Sequence, residues 1–124
     1  MANIIYKQES YQIVGALFNV YNELGSGFSE IVYKDAIEYE LGLLDIPWER
    51  EKEFIIQYKN ITLPHKFYAD FVVFGKIILE IKSIENLNDK HIAQCINYLK
   101  VSNYRLCILA NFNKNLLDHK RIIL

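Results

Sequence analysis

Two carboxylates and one amine interrupt an otherwise apolar stretch, YADFVVFGKIILEIK at residues 68–82. Gly75 divides this stretch into two apolar runs, which is typical of a β-hairpin. A register centred on Gly75 predicts that Asp70 lies opposite Glu80 or within one residue of it. Glu80 and Lys82 are two residues apart on the second strand, so their side chains project from the same face of the sheet.

Burying these three charges is costly unless they pair with one another or bind a metal ion. One interpretation is a solvated salt-bridge ladder on the hairpin surface, which adds little stability and predicts exposed carboxylates that do not converge. The other is a metal or catalytic site. Because almost every other residue of the two strands is apolar, the sheet is expected to be covered on both faces. We therefore favour the metal or catalytic site.

The composition is that of an ordinary soluble globular protein, and we expect a single domain over residues 1–124. The chain is 52% hydrophobic and 23% charged, with nine tyrosines and seven phenylalanines. A net charge of -1 argues against nucleic-acid binding by bulk electrostatics alone. It leaves open a local basic groove, or a site where a bound cation offsets the carboxylates of the protein.

The sequence also predicts a cellular compartment. Its first residues, MANIIYKQESYQ, lack the charged start and long apolar core of a signal peptide, and no run reaches the length that spans a bilayer. Only two cysteines occur, Cys95 and Cys107, each in an apolar segment. We interpret them as buried free thiols in a reducing compartment. A cytoplasmic protein without membrane contact is therefore predicted.

Two amphipathic helices are predicted before the hairpin. Apolar residues at helical spacing indicate the first over about 10–24, and Gly25 marks its end. The second is expected to begin near Ser29 and run to about 44, with Tyr33 on its buried stripe. Glu30 falls in the same angular sector, in the first turn. The helix macrodipole favours a carboxylate there, so helix-end electrostatics and a functional role both remain open for Glu30.

The rest of the chain predicts a mixed α/β domain with a central sheet flanked by helices. Pro47 ends the helical region. Strands are expected at about 53–58, 67–74, 77–81, 104–110 and 120–124, and residues 61–63 are a short strand or the start of the next one. A helix is expected at about 89–101, with Asn88 as its N-cap. The order is α-α-β-β-β-α-β-β.

These residues resemble a known family. Asp70, followed on the next strand by Glu-Ile-Lys at 80–82, resembles the PD-(D/E)xK nuclease motif, with Ala69 in the place of the proline. Upstream, GFSEIVY at 27–33 resembles the signature of the GxxExxY family within that superfamily, and AQCINYLK at 93–100 resembles its glutamine-bearing helix. The resemblance covers nearly the whole chain.

The resemblance implies a restriction-endonuclease-like fold, with a three-layer core and a divalent-metal phosphodiesterase site. Carried onto this sequence, Asp70 and Glu80 would bind Mg²⁺ or Mn²⁺ with the help of the backbone carbonyl of Ile81. Glu30 would complete the site, directly or through water. Lys82 would position or deprotonate the attacking water and stabilise the transition state.

The resemblance also implies that Gln94 orients Lys82 or the water by hydrogen bonding. The implied activity is hydrolysis of DNA, with RNA as the alternative substrate. The alternative to this activity is a non-catalytic module on the same fold that binds nucleic acid or another protein. Because so small a core leaves few residues for clasping a duplex, a homodimer or a partner protein is also expected.

Overall fold

The computed structural model describes residues 4–113 and 115–124, which form three helices and seven strands. In chain order these are α1 (Lys7–Leu24), α2 (Glu30–Leu43), β1 (Trp48–Phe54), β2 (Gln57–Tyr58), β3 (Ile61–Thr62), β4 (Phe67–Val73), β5 (Ile77–Lys82), α3 (Asp89–Ser102), β6 (Leu106–Asn111) and β7 (Asp118–Ile123). Five strands form one sheet in the order β1-β4-β5-β6-β7. Strands β5 and β6 are parallel and the other neighbours antiparallel, which confirms the predicted mixed sheet.

Helices cover both faces of this sheet. Helices α1 and α2 pack on one face, where Tyr33 belongs to the core, and α3 packs on the other, where Leu99 does. Every residue of β6 is buried, and in β5 only Lys82 is not. Cys95 and Cys107 are free buried thiols on the α3 side, as predicted. The sheet is thus the middle of three layers, where an unpaired charge is most costly.

The first strand begins at Trp48, so the predicted start near residue 53 was wrong. Its sequence, WEREKEF, is mostly charged, and half-buried residues alternate with exposed ones. β1 lies at the sheet edge, where only one neighbour covers it, and long polar side chains can contribute their apolar stems there. Arg50 does so: its guanidinium lies 5.9 Å from the ring centre of Phe71. The sequence pattern therefore did not predict a strand over residues 48–52, because most of its residues are charged.

The predicted continuous strand over 53–58 is also broken. β2 and β3 pair only with each other, in a small hairpin whose turn contains Lys59 at a φ of 54°. The segment 61–63, for which two readings were open, thus contains a short strand of its own. This hairpin lies between β1 and β4 in the chain and adds no strand to the main sheet.

The helix ends follow the predicted capping residues. Gly25, at a φ of 68°, closes α1 and donates its N–H to the carbonyl of Tyr21 at 2.7 Å. Ser29 precedes α2 in an extended conformation, although its side chain makes no capping hydrogen bond. Asn88 forms a capping box with His91 at the start of α3. In the part of the chain that the structure describes, no helix is long and apolar enough to cross a bilayer.

Candidate active site

The turn of the central hairpin leaves three residues, 74–76, between the paired Val73 and Ile77, and this loop length sets the register. Phe74 and Gly75 have φ values of 56° and 67°, and the N–H of Lys76 donates to the carbonyl of Val73 at 3.2 Å. Positive φ at both residues is a feature shared with type I′ turns, whose twist matches that of antiparallel strands. Because side chains alternate with a period of two, a slip of one residue would turn Asp70 to the other face.

Strands β4 and β5 separate where the carboxylates lie. The ladder between them is continuous up to the pair Phe71 and Leu79, a register that places Asp70 opposite Glu80, as predicted. At the pair Asp70 and Glu80, backbone N–H groups donate to the side-chain carboxylates and not to backbone carbonyls of the facing strand. The N–H of Asp70 donates to Oε2 of Glu80 at 2.6 Å, and the N–H of Ile81 donates to Oδ2 of Asp70 at 2.8 Å. The two carboxylates are therefore held side by side by the backbone itself.

Both carboxylates are largely shielded from solvent. Glu80 is 3% exposed, and the side chain of Asp70 is 16% exposed. Burial, and then the negative charge of Asp70, raise the pKa of Glu80 well above its ordinary value. A solvated salt-bridge ladder requires exposed carboxylates, so the structure rules out that interpretation. What remains is a buried acidic pair that a cation would stabilise.

Lys34 of α2 supplies a cation that the sequence analysis missed. Its ammonium lies 2.9 Å from Oδ1 of Asp70 and 2.9 Å from Oε1 of Glu51. Although burial lowers it, these two hydrogen-bonded ion pairs raise the pKa of Lys34 to about 12. The available signal was the spacing of Lys34 four residues after Glu30, which places both on one side of the helix.

Glu30 stands beside the hairpin without joining the acidic pair. It begins α2, and its Oε2 accepts the N–H of Ser83, just after β5, at 3.4 Å. The hydroxyl of Ser83 donates to the carbonyl of Phe28 at 2.7 Å. The start of α2 is therefore tied to the end of β5. Helix-end electrostatics explain why a carboxylate is stable there.

Lys82 shares the α3 side of the sheet with Glu80. Ile78 packs in the core beneath α3, and alternation along β5 puts residues 80 and 82 on the same face. The charge of Lys82 opposes the rise in the pKa of Glu80 that burial causes. Its own backbone carbonyl accepts the N–H of Phe112 at 2.9 Å, which anchors the strand end. Glu80 and Lys82 therefore share one face of β5, beside Asp70 on the neighbouring strand, and convergence of all three on one ligand stays a prediction.

Among the described residues, Gln94 makes no hydrogen bond to Lys82, one of its two predicted partners, and its orientation of the attacking water stays a prediction. It is exposed on α3, and among the described residues its hydrogen bond goes to the hydroxyl of Tyr98 at 3.5 Å. Tyr98 is a second residue that the sequence analysis missed. Burial, and then the charges of Glu80 and Asp70, raise the pKa of Tyr98 to about 12, so its hydroxyl remains protonated at neutral pH. Its spacing four residues after Gln94 was the only available signal.

The donor set suits a hard divalent cation. Mg²⁺ and Mn²⁺ prefer carboxylate oxygens, and Mg²⁺ commonly keeps several waters while binding one or two protein carboxylates. Asp70 and Glu80 offer two such carboxylates. The backbone carbonyl of Ile81, which is also a predicted ligand, belongs to the residue that follows Glu80. Over residues 4–113 and 115–124, no group of three or more His, Cys, Asp or Glu side chains is placed to hold a metal. The role of Glu30 as a further ligand remains a prediction.

The fold and this strand-end acidic pair define a nuclease-like α/β/α domain. The sequence matches the family described as the PD-(D/E)XK nuclease superfamily over residues 7–122, and the chain therefore belongs to that superfamily. A central mixed sheet flanked by helices is the arrangement that its restriction-endonuclease-like fold requires.

One solved structure, that of SSO0001, has the same fold. It superposes with a TM-score of 0.61 at 20% sequence identity, over 95% of this chain and 59% of SSO0001. This chain therefore spans about three fifths of that protein. At this level of identity the similarity concerns the fold alone. A search of curated proteins found no match.

The buried acid of Glu80 gives a first expected result. Its pKa in the folded chain lies above the unfolded value near 4.5, so between these two values the folded state binds more protons than the unfolded state. The stability that this group contributes is present below pH 4.5 and is lost as the pH rises through the folded pKa. Glu80→Gln, which cannot ionise, is therefore expected to be more stable than the wild type at pH 7 in chelator, by about 1 kcal/mol.

Chemical denaturation at pH 7 and at pH 4 measures this difference. The gain should shrink at pH 4, where Glu80 is protonated in both states. Glu85→Gln is the matched control, because Glu85 is exposed just after β5. A Glu80→Gln variant that is less stable than the wild type at pH 7 would contradict the expectation.

Proposed function

We propose that this protein is a metal-dependent nuclease that hydrolyses phosphodiester bonds of DNA, with RNA as the alternative substrate. The observation that carries the proposal is the buried pair of Asp70 and Glu80 at the point where β4 and β5 separate, with Lys82 on the face of Glu80. Membership of the PD-(D/E)XK superfamily supports the same reaction class.

The residues of the chain have distinct parts in this proposal. Asp70 and Glu80 would hold Mg²⁺ or Mn²⁺, and a bound ion supplies Lewis-acid activation and neutralises phosphate charge. Lys82 orients the attacking water and donates hydrogen bonds to the phosphate oxygens as negative charge develops on them. Tyr98, protonated at neutral pH, provides a further hydrogen-bond donor beside Glu80.

We also assign the chain to the GxxExxY family within the superfamily. The three signature residues have backbone conformations and contacts that are compatible with this assignment. Gly27 has a φ of 107°, Glu30 ties the start of α2 to β5, and the Tyr33 hydroxyl donates to the carbonyl of Gly25 at 2.6 Å. The signature thus builds the loop that brings α2 to the site.

Metal removal is the test of the proposed activity. We expect cleavage of supercoiled plasmid and of labelled oligonucleotides with Mg²⁺ or Mn²⁺, a fall to background in EDTA, and recovery when the metal is restored. The ion should also raise the melting temperature, since saturation at 100 times Kd adds about 2.7 kcal/mol of stability. Equal cleavage with and without EDTA would contradict the proposal. The absence of both cleavage and a thermal shift when the metal is added would contradict it as well.

One observation favours a second candidate, a non-catalytic nucleic-acid-binding module. The Lys34 ammonium already pairs with Asp70, so part of the negative charge is neutralised without a metal ion. Such a module would bind DNA equally in EDTA and in Mg²⁺, and Asp70→Asn would leave its affinity unchanged. The same oligonucleotides therefore separate the two candidates.

A further inference from the structure

A groove of about 340 Å³ lies between α3 and the segment that leads into β4. Its walls include His65 and Phe67 on one side and Gln94, Asn97 and Tyr98 on the other. The ring centres of His65 and Phe67 are 4.8 Å apart at an interplanar angle of 68°, and those of Phe67 and Tyr98 are 6.3 Å apart at 88°. Three of the four aromatic rings that line the groove are thus in edge-to-face contact.

The groove adjoins the strand that carries Asp70, because Tyr68, which lines it, lies two residues before Asp70 on β4. Tyr98 belongs both to the groove and to the core beneath α3, on the sheet face that carries Glu80. The raised pKa of Tyr98, caused first by burial and then by Glu80 and Asp70, is consistent with this proximity. A molecule lying in the groove would therefore have one end beside the candidate metal ligands.

The chemistry of the walls suits a nucleobase. The side-chain amides of Gln94 and Asn97 each offer a donor and an acceptor, which match the edge of any base, and the imidazole of His65 offers a face for stacking. None of the described residues that line the groove carries a carboxylate, although Lys66 among them pairs with Glu53 at 3.3 Å. The sequence contains no Asp or Glu between Glu53 and Asp70 either, although the whole chain has 15 acidic residues. A phosphate chain therefore meets no carboxylate on the groove lining itself before it nears Asp70 and Glu80.

Pairing and stacking in a duplex would prevent this contact. A base within a duplex has its edge hydrogen-bonded to its partner and its faces covered by its neighbours, whereas an unpaired base leaves both free. One nucleotide fits a groove of about 340 Å³.

We propose that this groove binds one unpaired nucleotide of the substrate strand next to the scissile phosphate, so that the protein acts on single strands or frayed ends. The inference rests on the proposed nuclease function and adds its substrate class. His65 stacks on the base, Gln94 and Asn97 bind its edge, and the adjoining phosphate reaches Asp70 and Glu80.

The test uses a single-stranded oligonucleotide with 2-aminopurine at its centre, and the same strand in a duplex. Binding is measured by fluorescence anisotropy on the Asp70→Asn background, which avoids cleavage. We expect the single strand to bind at least 10-fold more tightly than the duplex and its fluorescence to be quenched by stacking. Adding His65→Ala should weaken single-strand binding about 10-fold and remove the quenching, and Asn97→Ala should weaken it several-fold.

His119→Ala is the matched control, because His119 lies on β7 at the far edge of the sheet, and it should leave both readings unchanged. Equal affinity for strand and duplex, no detectable binding of either, or an unaffected His65→Ala variant would overturn the proposal. Displacement by an equal concentration of a free mononucleotide would overturn it as well, since it would indicate a free-nucleotide site.

The two proposals fail separately. If the wild type cleaves with Mg²⁺ while His65→Ala binds and cleaves equally well, only the groove assignment is lost. If the single strand binds as expected while no metal supports cleavage, only the nuclease assignment is lost.

Discussion

Replacing Asp70 with asparagine is expected to lower metal-dependent kcat/KM about 1,000-fold while the protein remains folded. The asparagine oxygen can still accept the N–H of Ile81, which Asp70 accepts at 2.8 Å, so the hairpin keeps its side-chain bridge. What the variant loses is a negative charge beside Glu80 and the ion pair with Lys34. A bound metal ion stabilises the transition state by several kcal/mol, and each 1.4 kcal/mol corresponds to about a factor of ten.

The matched control is Asp45→Asn. Asp45 is exposed beyond the C-terminal end of α2, and its φ of 55° is one that asparagine also adopts readily. α2 has 14 residues and is about 21 Å long, so this control changes the same chemical group far from the site. Full activity of Asp70→Asn, or equal losses in both variants, would contradict the metal-ligand role.

Lys82→Ala belongs in the same experiment, because it separates metal binding from chemistry. Loss of a group that orients water and stabilises developing charge costs about 100- to 1,000-fold. Metal affinity, measured by calorimetry, should fall for Asp70→Asn and not for Lys82→Ala. Lys120→Ala, on the exposed side of β7, should match the wild type in both measurements.

Replacing Tyr33 with alanine is expected to destabilise the fold by about 3–5 kcal/mol. Tyr33 is completely buried, and its ring stacks on Phe112 with centres 4.4 Å apart. Its hydroxyl donates to Gly25 and accepts the N–H of Phe28 at 3.2 Å. The alanine variant loses the ring contacts, leaves a cavity and removes the clamp on the loop before α2. Such a loss is a large part of the total stability of a typical domain, about 5–15 kcal/mol.

Two further variants isolate these contributions in urea denaturation. Tyr33→Phe keeps the ring and removes only the clamp, and we expect it to cost about 1–3 kcal/mol. Tyr39→Ala changes the same residue type on α2 where it is 69% exposed, and we expect its effect to stay within about 0.5 kcal/mol. A Tyr33→Ala cost no larger than that of Tyr39→Ala would contradict the structural role.

Apolar periodicity located most of the secondary structure. Helices α1, α2 and α3 and strands β4, β5 and β6 follow from it because each buries an apolar stripe or run, and burial of that pattern is what stabilises the element. The prediction failed for β1, where charged residues occupy an edge strand with one covered face. It also failed for the break between β1 and β2, since pairing with a neighbouring strand, not local sequence, decides where an edge strand ends.

The sequence by itself determined the hairpin and the chemical types of the site, and it limited the register to within one residue. Gly75 supplies the turn, the turn sets the register, and the register places Asp70 opposite Glu80. These are short-range consequences of backbone geometry, and residue spacing is enough to derive them.

Only the tertiary structure decided what surrounds that pair. It brought Lys34 onto Asp70, tied Glu30 to Ser83 and directed Gln94 toward Tyr98. These contacts join residues from different layers of the domain, and their distances depend on how α2 and α3 are packed against the sheet. Spacing along the chain does not encode that packing, because helix rotation and translation are set by many apolar contacts acting together.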